Sequence, residues 1–227
     1  MDITTYREKF RLETIPKNYS GIFHLVFNFS VLILSILFAW SQIFELKAWE
    51  LIAVPVVVVL GNLVVFVLHK YPLHRKMPLF GFTYKIHAKW HHSFFDHENL
   101  VFDSTRDFFI IFFPTWVVLG FVLLAMPVFY FLLSPFFTAN FVFLTMSMAS
   151  IYFLSYEVVH FASHLPEDHF LIKKIGFFRF MRDYHGIHHN PKLMRDYNFN
   201  IVFPLFDVIF KTYISPRKQN VSRNISC

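Results

Sequence analysis

Four long apolar runs constrain this chain more than any other feature. They cover Ile22–Trp40, Trp49–Leu68, Phe108–Leu132 and Pro135–His160. A helix needs about 20 mostly apolar residues to cross a bilayer. Backbone in lipid must satisfy its own hydrogen bonds, so each run is expected to be a helix. Short turns near Ser41–Ala48 and Ser134–Pro135 predict two helical hairpins. Pro55, Pro114 and Pro127 are expected to kink their helices. Composition agrees: of 227 residues, 56% are hydrophobic and only 16% charged, against about 25% charged in an ordinary soluble domain. The expected fold class is all-α and integral to a membrane. A single membrane domain is expected over 1–227: an N-terminal segment 1–21, a first hairpin 22–68, a loop 69–107, a second hairpin 108–160 and a tail 161–227.

Charge predicts the orientation. Lys and Arg number four in 1–21, six in 69–107 and ten in 161–227, against one, Lys47, in the first short turn and none in the second. Loops rich in Lys and Arg stay on the cytoplasmic side. Both termini and both long segments are therefore expected in the cytoplasm, with a helical cap there. The net charge of +6 reads as topology and attraction to anionic headgroups, not as nucleic-acid binding. Trp40, Trp49 and Trp116 fall near helix ends, as interfacial anchors do. The lone cysteine, Cys227, builds no disulfide or thiolate site. The N-terminal residues do not read as a signal peptide. Of the sequons at Asn18, Asn28, Asn220 and Asn224, three are expected on the cytoplasmic side and Asn28 within a span, so none is expected to carry glycan.

Thirteen histidines occur, and ten fall into four clusters: His69 and His74; His87, His91 and His92; His160 and His164; His185, His188 and His189. All lie on the predicted cytoplasmic side or at that end of the fourth span. Residues three and four apart share a helix face, so His87 with His91, His160 with His164, and His185 with His188 and His189 are each expected to point one way. His69 and His74, five apart, do not fit one helix face. Pro72 is expected to end the second span and let His74 turn back. Neutral imidazole is the commonest protein metal ligand, and all-nitrogen sites suit Zn, Cu, Fe or Ni. Ten exceed what one ion uses and suit two ions with about five each. A lone pair of histidines would ordinarily mean nothing; four clusters on one side of a membrane are a different matter. His24 and His169 read as unclustered, and His97 is an outside candidate. Glu157, an acid inside the fourth span one turn before His160, is expected to orient a histidine or to ligate directly. Asp96, Asp103 and Asp183 read singly as solvated loop acids.

This order of boxes, HX4H, HX3HH, HX3H and HX2HH among four spans, resembles the fatty acid hydroxylase / sterol desaturase superfamily. The resemblance runs from His69 to Tyr213. It includes Tyr156-Glu157-Val158-Val159-His160, and Asn198-Phe199-Asn200 followed by Pro204-Leu205-Phe206-Asp207 and Phe210. Lys211 stands where a glycine is usual, which puts the local turn in question. The resemblance implies two iron ions (zinc being possible in a purified sample), O2 as co-substrate and a membrane lipid as substrate. Its implied reaction is oxidation of an acyl or sterol C–H bond, by hydroxylation or, with the same ligands, desaturation. Electrons would come from a separate donor of cytochrome b5, ferredoxin or reductase type. No haem-binding HPGG occurs, and the short chain resembles bacterial members, which implies a bacterial inner membrane, or the endoplasmic reticulum in a eukaryote. A metal transporter or metal store without redox chemistry is the alternative. Against transport, Glu157 and His24 lie near the cytoplasmic ends of their spans.

Overall fold

A computed structural model describes residues 2–216. Cys227, Asn220, Asn224 and three of the tail's basic residues, Arg217, Lys218 and Arg223, lie outside the described residues. The chain is all-helical, with no strand among the described residues. Four helices are long and apolar enough to cross a membrane: α2 (Gly21–Ser41), α3 (Ala48–Leu73), α6 (Thr115–Leu133) and α7 (Ala139–Ser163). Around them lie α1 (Ile3–Glu13), α4 (81–94), α5 (Phe108–Ile111), α8 (Phe170–Lys174), α9 (Gly176–His188) and α10 (Leu205–Ile209). Polar side chains start several of these. Asp2, Ser20 and Thr138 accept from the backbone N–H groups of Thr5, Phe23 and Phe141, which have no partner in a helix's first turn.

α7 is the central element. Its spanning window is 44% buried against 11–22% for the other three, and α2, α3 and α9 all pack on it. The other three long helices, α2, α3 and α6, show most of their apolar side chains outwards, as lipid-facing helices do. Trp40, Trp49 and Trp116 are exposed and sit at helix ends.

One departure from the sequence expectation shapes the site. The third run does not begin at Phe108 as one helix. It breaks at 112–114 into an extended strap, and α6 starts at Thr115. Pro114 explains this: it lacks an N–H and disfavours helical backbone in the residue before it. Pro55 sits in the first turn of regular α-helix in α3, where proline costs little. Within α6, Pro127 follows a wide π turn at Phe121–Ala125, which accommodates the carbonyl proline cannot bond. α3 ends at Leu73, one residue after Pro72, with His74 as its C-cap. Pro72 lies inside the last turn, a π turn over His69–Leu73, and the widened repeat is what turns His74 back towards His69.

α1 is clamped to the loop after α4. The buried Arg7 guanidinium donates to the carbonyls of Phe94 (2.8 Å), Asn99 (2.6 Å) and Val101 (3.0 Å). Arg11 holds the fully buried Asp107 through Nε and Nη2, both at 2.7 Å.

Candidate metal centre

The ten clustered histidines converge where α3 and α7 end, and all are buried. They separate into two groups. His69, His74, His87, His92 and His188 form one; His91, His160, His164 and His185 form the other, with ligand atoms in each group within 4.8 Å of one another. His189 joins the second, its Nε2 lying 2.9 Å from that of His185 and 3.2 Å from that of His91. The division is five and five.

The clusters contribute differently from their spacing. In a π turn the repeat lengthens towards five residues. The π turn at the end of α3 therefore brings His69 and His74 to one group, with ring centroids 5.0 Å apart. A second π segment, Lys85–His91 in α4, puts His87 with His92 (Nε2 to Nε2, 3.2 Å) and sends His91 to the other group. On α9, His185 and His189 face the second group and His188 the first. His160 with His164, and His185 with His189, share a group as the four-residue spacing predicts, whereas His188 leaves His185 for the first group. The adjacent pairs His91-His92 and His188-His189 each straddle the two groups, which ties the groups together.

Backbone carbonyls orient the rings. Nδ1–H of His91 donates to Ile110 (2.9 Å), of His160 to Ile111 (3.0 Å), of His164 to Leu100 (2.7 Å), of His188 to Tyr197 (2.9 Å) and of His189 to Phe95 (2.5 Å). His69 donates likewise to Phe199. These bonds place the proton on Nδ1 and leave Nε2 as a bare lone pair. Yet the Nε2 atoms of His91, His160 and His189 converge, at 3.3 Å for His160 to His91 and 3.2 Å for His91 to His189. In the first group, His188 lies 2.9 Å from His74 and His69 lies 2.8 Å from His87. Protonation would relieve such crowding, but burial first and neighbouring imidazoles second hold His87, His92, His185 and His189 well below the usual histidine range, and burial takes His188 to about 4. His91, His160 and His189 each have Nδ1 engaged by a carbonyl, so in the neutral form their Nε2 lone pairs face one another and repel unless a cation lies between them. His164 Nε2 is also buried without a protein partner. Two nitrogens each about 2.0–2.1 Å from one ion sit roughly 3 Å apart, which is the spacing seen. Each group can hold a metal ion.

The other candidates act elsewhere. His24 binds the Tyr19 hydroxyl and the Phe113 carbonyl, and His169 caps Leu171. His97 joins neither group. Asp96 caps the N–H groups of Glu98 and Asn99, Asp103 pairs with Arg7 and Arg11, and Asp183 lies beside Arg182. Glu157 is fully buried and touches no histidine in a hydrogen bond; its Oε1 accepts from Phe113 N–H at 3.2 Å. The Phe113 carbonyl takes Asn28 Nδ2 at 2.8 Å. Glu157 and Asn28 thus pin the strap that directly follows α5, whose Ile110 and Ile111 carbonyls hold His91 and His160. Asn28, a sequon residue, is fully buried by this bond.

Sequence reasoning passes over two buried anchors. Asn62, in the midst of the valines of α3, binds Tyr152, Phe203 and Phe206, and Asn200 returns to the Asn62 carbonyl. Asp207 accepts from Phe199 N–H (3.0 Å), Asn200 N–H (2.6 Å), the Tyr184 hydroxyl (2.5 Å) and the Thr212 hydroxyl (2.6 Å). Together they fold the segment 197–201 so that the Tyr197 and Phe199 carbonyls meet His188 and His69. A polar residue inside an apolar run was the available signal for Asn62. It applies equally to Glu50, which the second run contains. Glu50 is buried and accepts from Lys47 N–H and the Thr138 hydroxyl. Lys211 takes the turn in question with φ of 58°, in the left-handed region that favours glycine.

An apolar cavity of about 660 Å³ runs between α3, α6 and α7, with His69 and Tyr156 at one end. A smaller one, about 260 Å³, shares Leu68, Leu73, Phe113, Val117 and Tyr156 with it and reaches His87, His91 and His160. No protein-family model, curated protein or solved structure matches this chain.

Proposed function

We propose that this chain is an integral-membrane, O2-dependent di-iron oxidase of the fatty acid hydroxylase / sterol desaturase type, which hydroxylates a membrane lipid. One observation carries the reading: ten buried histidines in two groups of five, with His69 at one end of an apolar cavity among membrane-type helices. A lipid is the substrate class such a lining admits, because it offers apolar surface and no charged partner. Two bound iron ions would supply the oxygen activation that C–H oxidation requires. His69, His74, His87, His92 and His188 would hold one, and His91, His160, His164, His185 and His189 the other. Burial keeps these imidazoles unprotonated, and backbone carbonyls on Nδ1 aim the Nε2 atoms of six of them, His69, His91, His160, His164, His188 and His189, inwards. Leu68, Leu73, Phe113 and Val117 exclude water from the approach. In this reading the four helices form two hairpins, both termini face the cytoplasm and α4, α8 and α9 form a cap on that side. A separate redox protein supplies electrons there. Desaturation uses the same ligands and is the second outcome.

The test is a comparison of host lipids with and without the expressed chain by mass spectrometry. Gain of one oxygen means hydroxylation, and loss of two hydrogens means desaturation. His91→Ala and His188→Ala, one ligand from each group, should abolish the product and lower bound metal. Full activity in either variant would overturn the reading.

A further inference from the structure

The larger cavity has a direction. Its histidine end carries His69 and Tyr156; its far end is Val57, Ala125, Phe129 and Met146. The polar group nearest that end, Thr145 Oγ1, already donates to the Phe141 carbonyl at 2.8 Å. A headgroup placed there would lose its water and gain no partner, at a cost of several kcal/mol. A hydrocarbon tail loses nothing. Along α6 the lining residues run from Val117 to Phe129, roughly 18 Å of helix, so the cavity is long enough to measure a chain.

We infer that this cavity is a ruler for one unbranched hydrocarbon tail, which lies with its free end towards Met146 and Phe129 and its polar end towards the histidines. The inference rests on the reading that a lipid is the substrate and names its shape and orientation. Carbons near the polar end then lie next to the metal ligands, and the depth of the cavity sets the longest tail accepted. Two small residues on α6 make that depth adjustable. Gly120 lines the cavity close to the histidine end, and a Cβ added to it meets nothing within 4 Å. Ala125 lines it farther in, within the π turn that widens the helix there. A larger side chain at Gly120 fills cavity space without meeting a neighbour at its Cβ, one at Ala125 takes space from the cavity it lines, and the two positions cut the ruler at different depths. Leu123, on the same helix, is exposed to the outside and does not line the cavity.

The experiment uses the full chain held in amphipol, metal-loaded and metal-free. It is titrated with straight-chain saturated carboxylic acids of increasing length, with empty amphipol as the blank. Affinity should rise about fourfold per added methylene until the cavity is filled, then stop rising. Gly120→Phe should move that break to much shorter chains and Ala125→Phe to moderately shorter ones. Leu123→Phe should leave it in place. Unchanged metal content shows that each variant has folded. A break at the same length in all four proteins, or cholesterol binding as tightly as the best acid, would overturn the ruler. Turnover plays no part in this readout. A graded break without any oxidised lipid product would therefore remove the oxidase reading and leave the tail site standing. Oxidised product without a graded break would do the reverse.

Discussion

Asp207→Ala separates the two metal sites experimentally. Asp207 is fully buried and accepts four hydrogen bonds. Removing it leaves four donors without an acceptor. A buried group left unsatisfied costs about 1–3 kcal/mol, but the Tyr184 and Thr212 hydroxyls can rotate, so the loss should be about 4 kcal/mol and come mostly from the two backbone N–H groups. Those belong to Phe199 and Asn200, in the segment whose Phe199 carbonyl holds His69 and whose Tyr197 carbonyl holds His188. Both rings serve the first group. No ligand of the second group, His91, His160, His164, His185 or His189, takes its hydrogen bond from this segment. Loss of such an orienting partner typically costs about 10–100-fold in metal affinity. Metal titration of Asp207→Ala should therefore show one site of native affinity and one weakened by that factor, and thermal unfolding should fall to a lower temperature. Equal weakening of both sites, or two native affinities, would refute the assignment of this segment to one group.

The mirror experiment is Glu157→Ala. It frees the Phe113 N–H and loosens the strap behind His91 and His160, so metal should weaken in the second group alone. Glu157→Gln keeps an acceptor and should restore most of it, read by the same titration. Lys211→Gly should raise stability by about 1 kcal/mol in chemical denaturation, because a residue with a Cβ pays about that much for a positive φ just after a helix. Stability of the metal-free protein should depend on pH in one direction. The unfolded chain takes up protons near pH 6.5, whereas folded His188 refuses its proton until about 4. The unfolded state thus binds more protons across that window, so stability falls as pH drops from 6.5 towards 4, by roughly 3 kcal/mol at the low end for His188 alone. Above 6.5 the curve should be flat with respect to this group. Denaturant melts across pH check this, and a loss of stability on raising pH instead would contradict the burial of the neutral rings.

Much of this protein is determined locally. Apolar runs of spanning length must become helices, because lipid offers the backbone no other partner, and four long apolar helices follow, three within about five residues of the runs and the third starting seven residues late at Thr115. The count of buried imidazoles, and hence the capacity for two metals, is likewise a property of composition and spacing. The allotment of histidines to groups is not. Spacing by threes and fours assumes a regular helix, and the two π segments change the repeat at the ligands: His74 rejoins His69, while His91 leaves His87. Those wide turns depend on packing around Pro72 and on the helices that α4 meets, which no local pattern encodes. The orienting carbonyls come from Phe95 and Leu100, from Ile110 and Ile111 just before the strap, and from the segment at 197–201. Asp207 holds that segment, and from elements distant in the chain Glu157 and Asn28 reach the strap and Asn62 reaches the segment. Which buried acid binds which backbone N–H is decided only when those elements meet. The cavity belongs to the same class, since it is the space three helices leave between them.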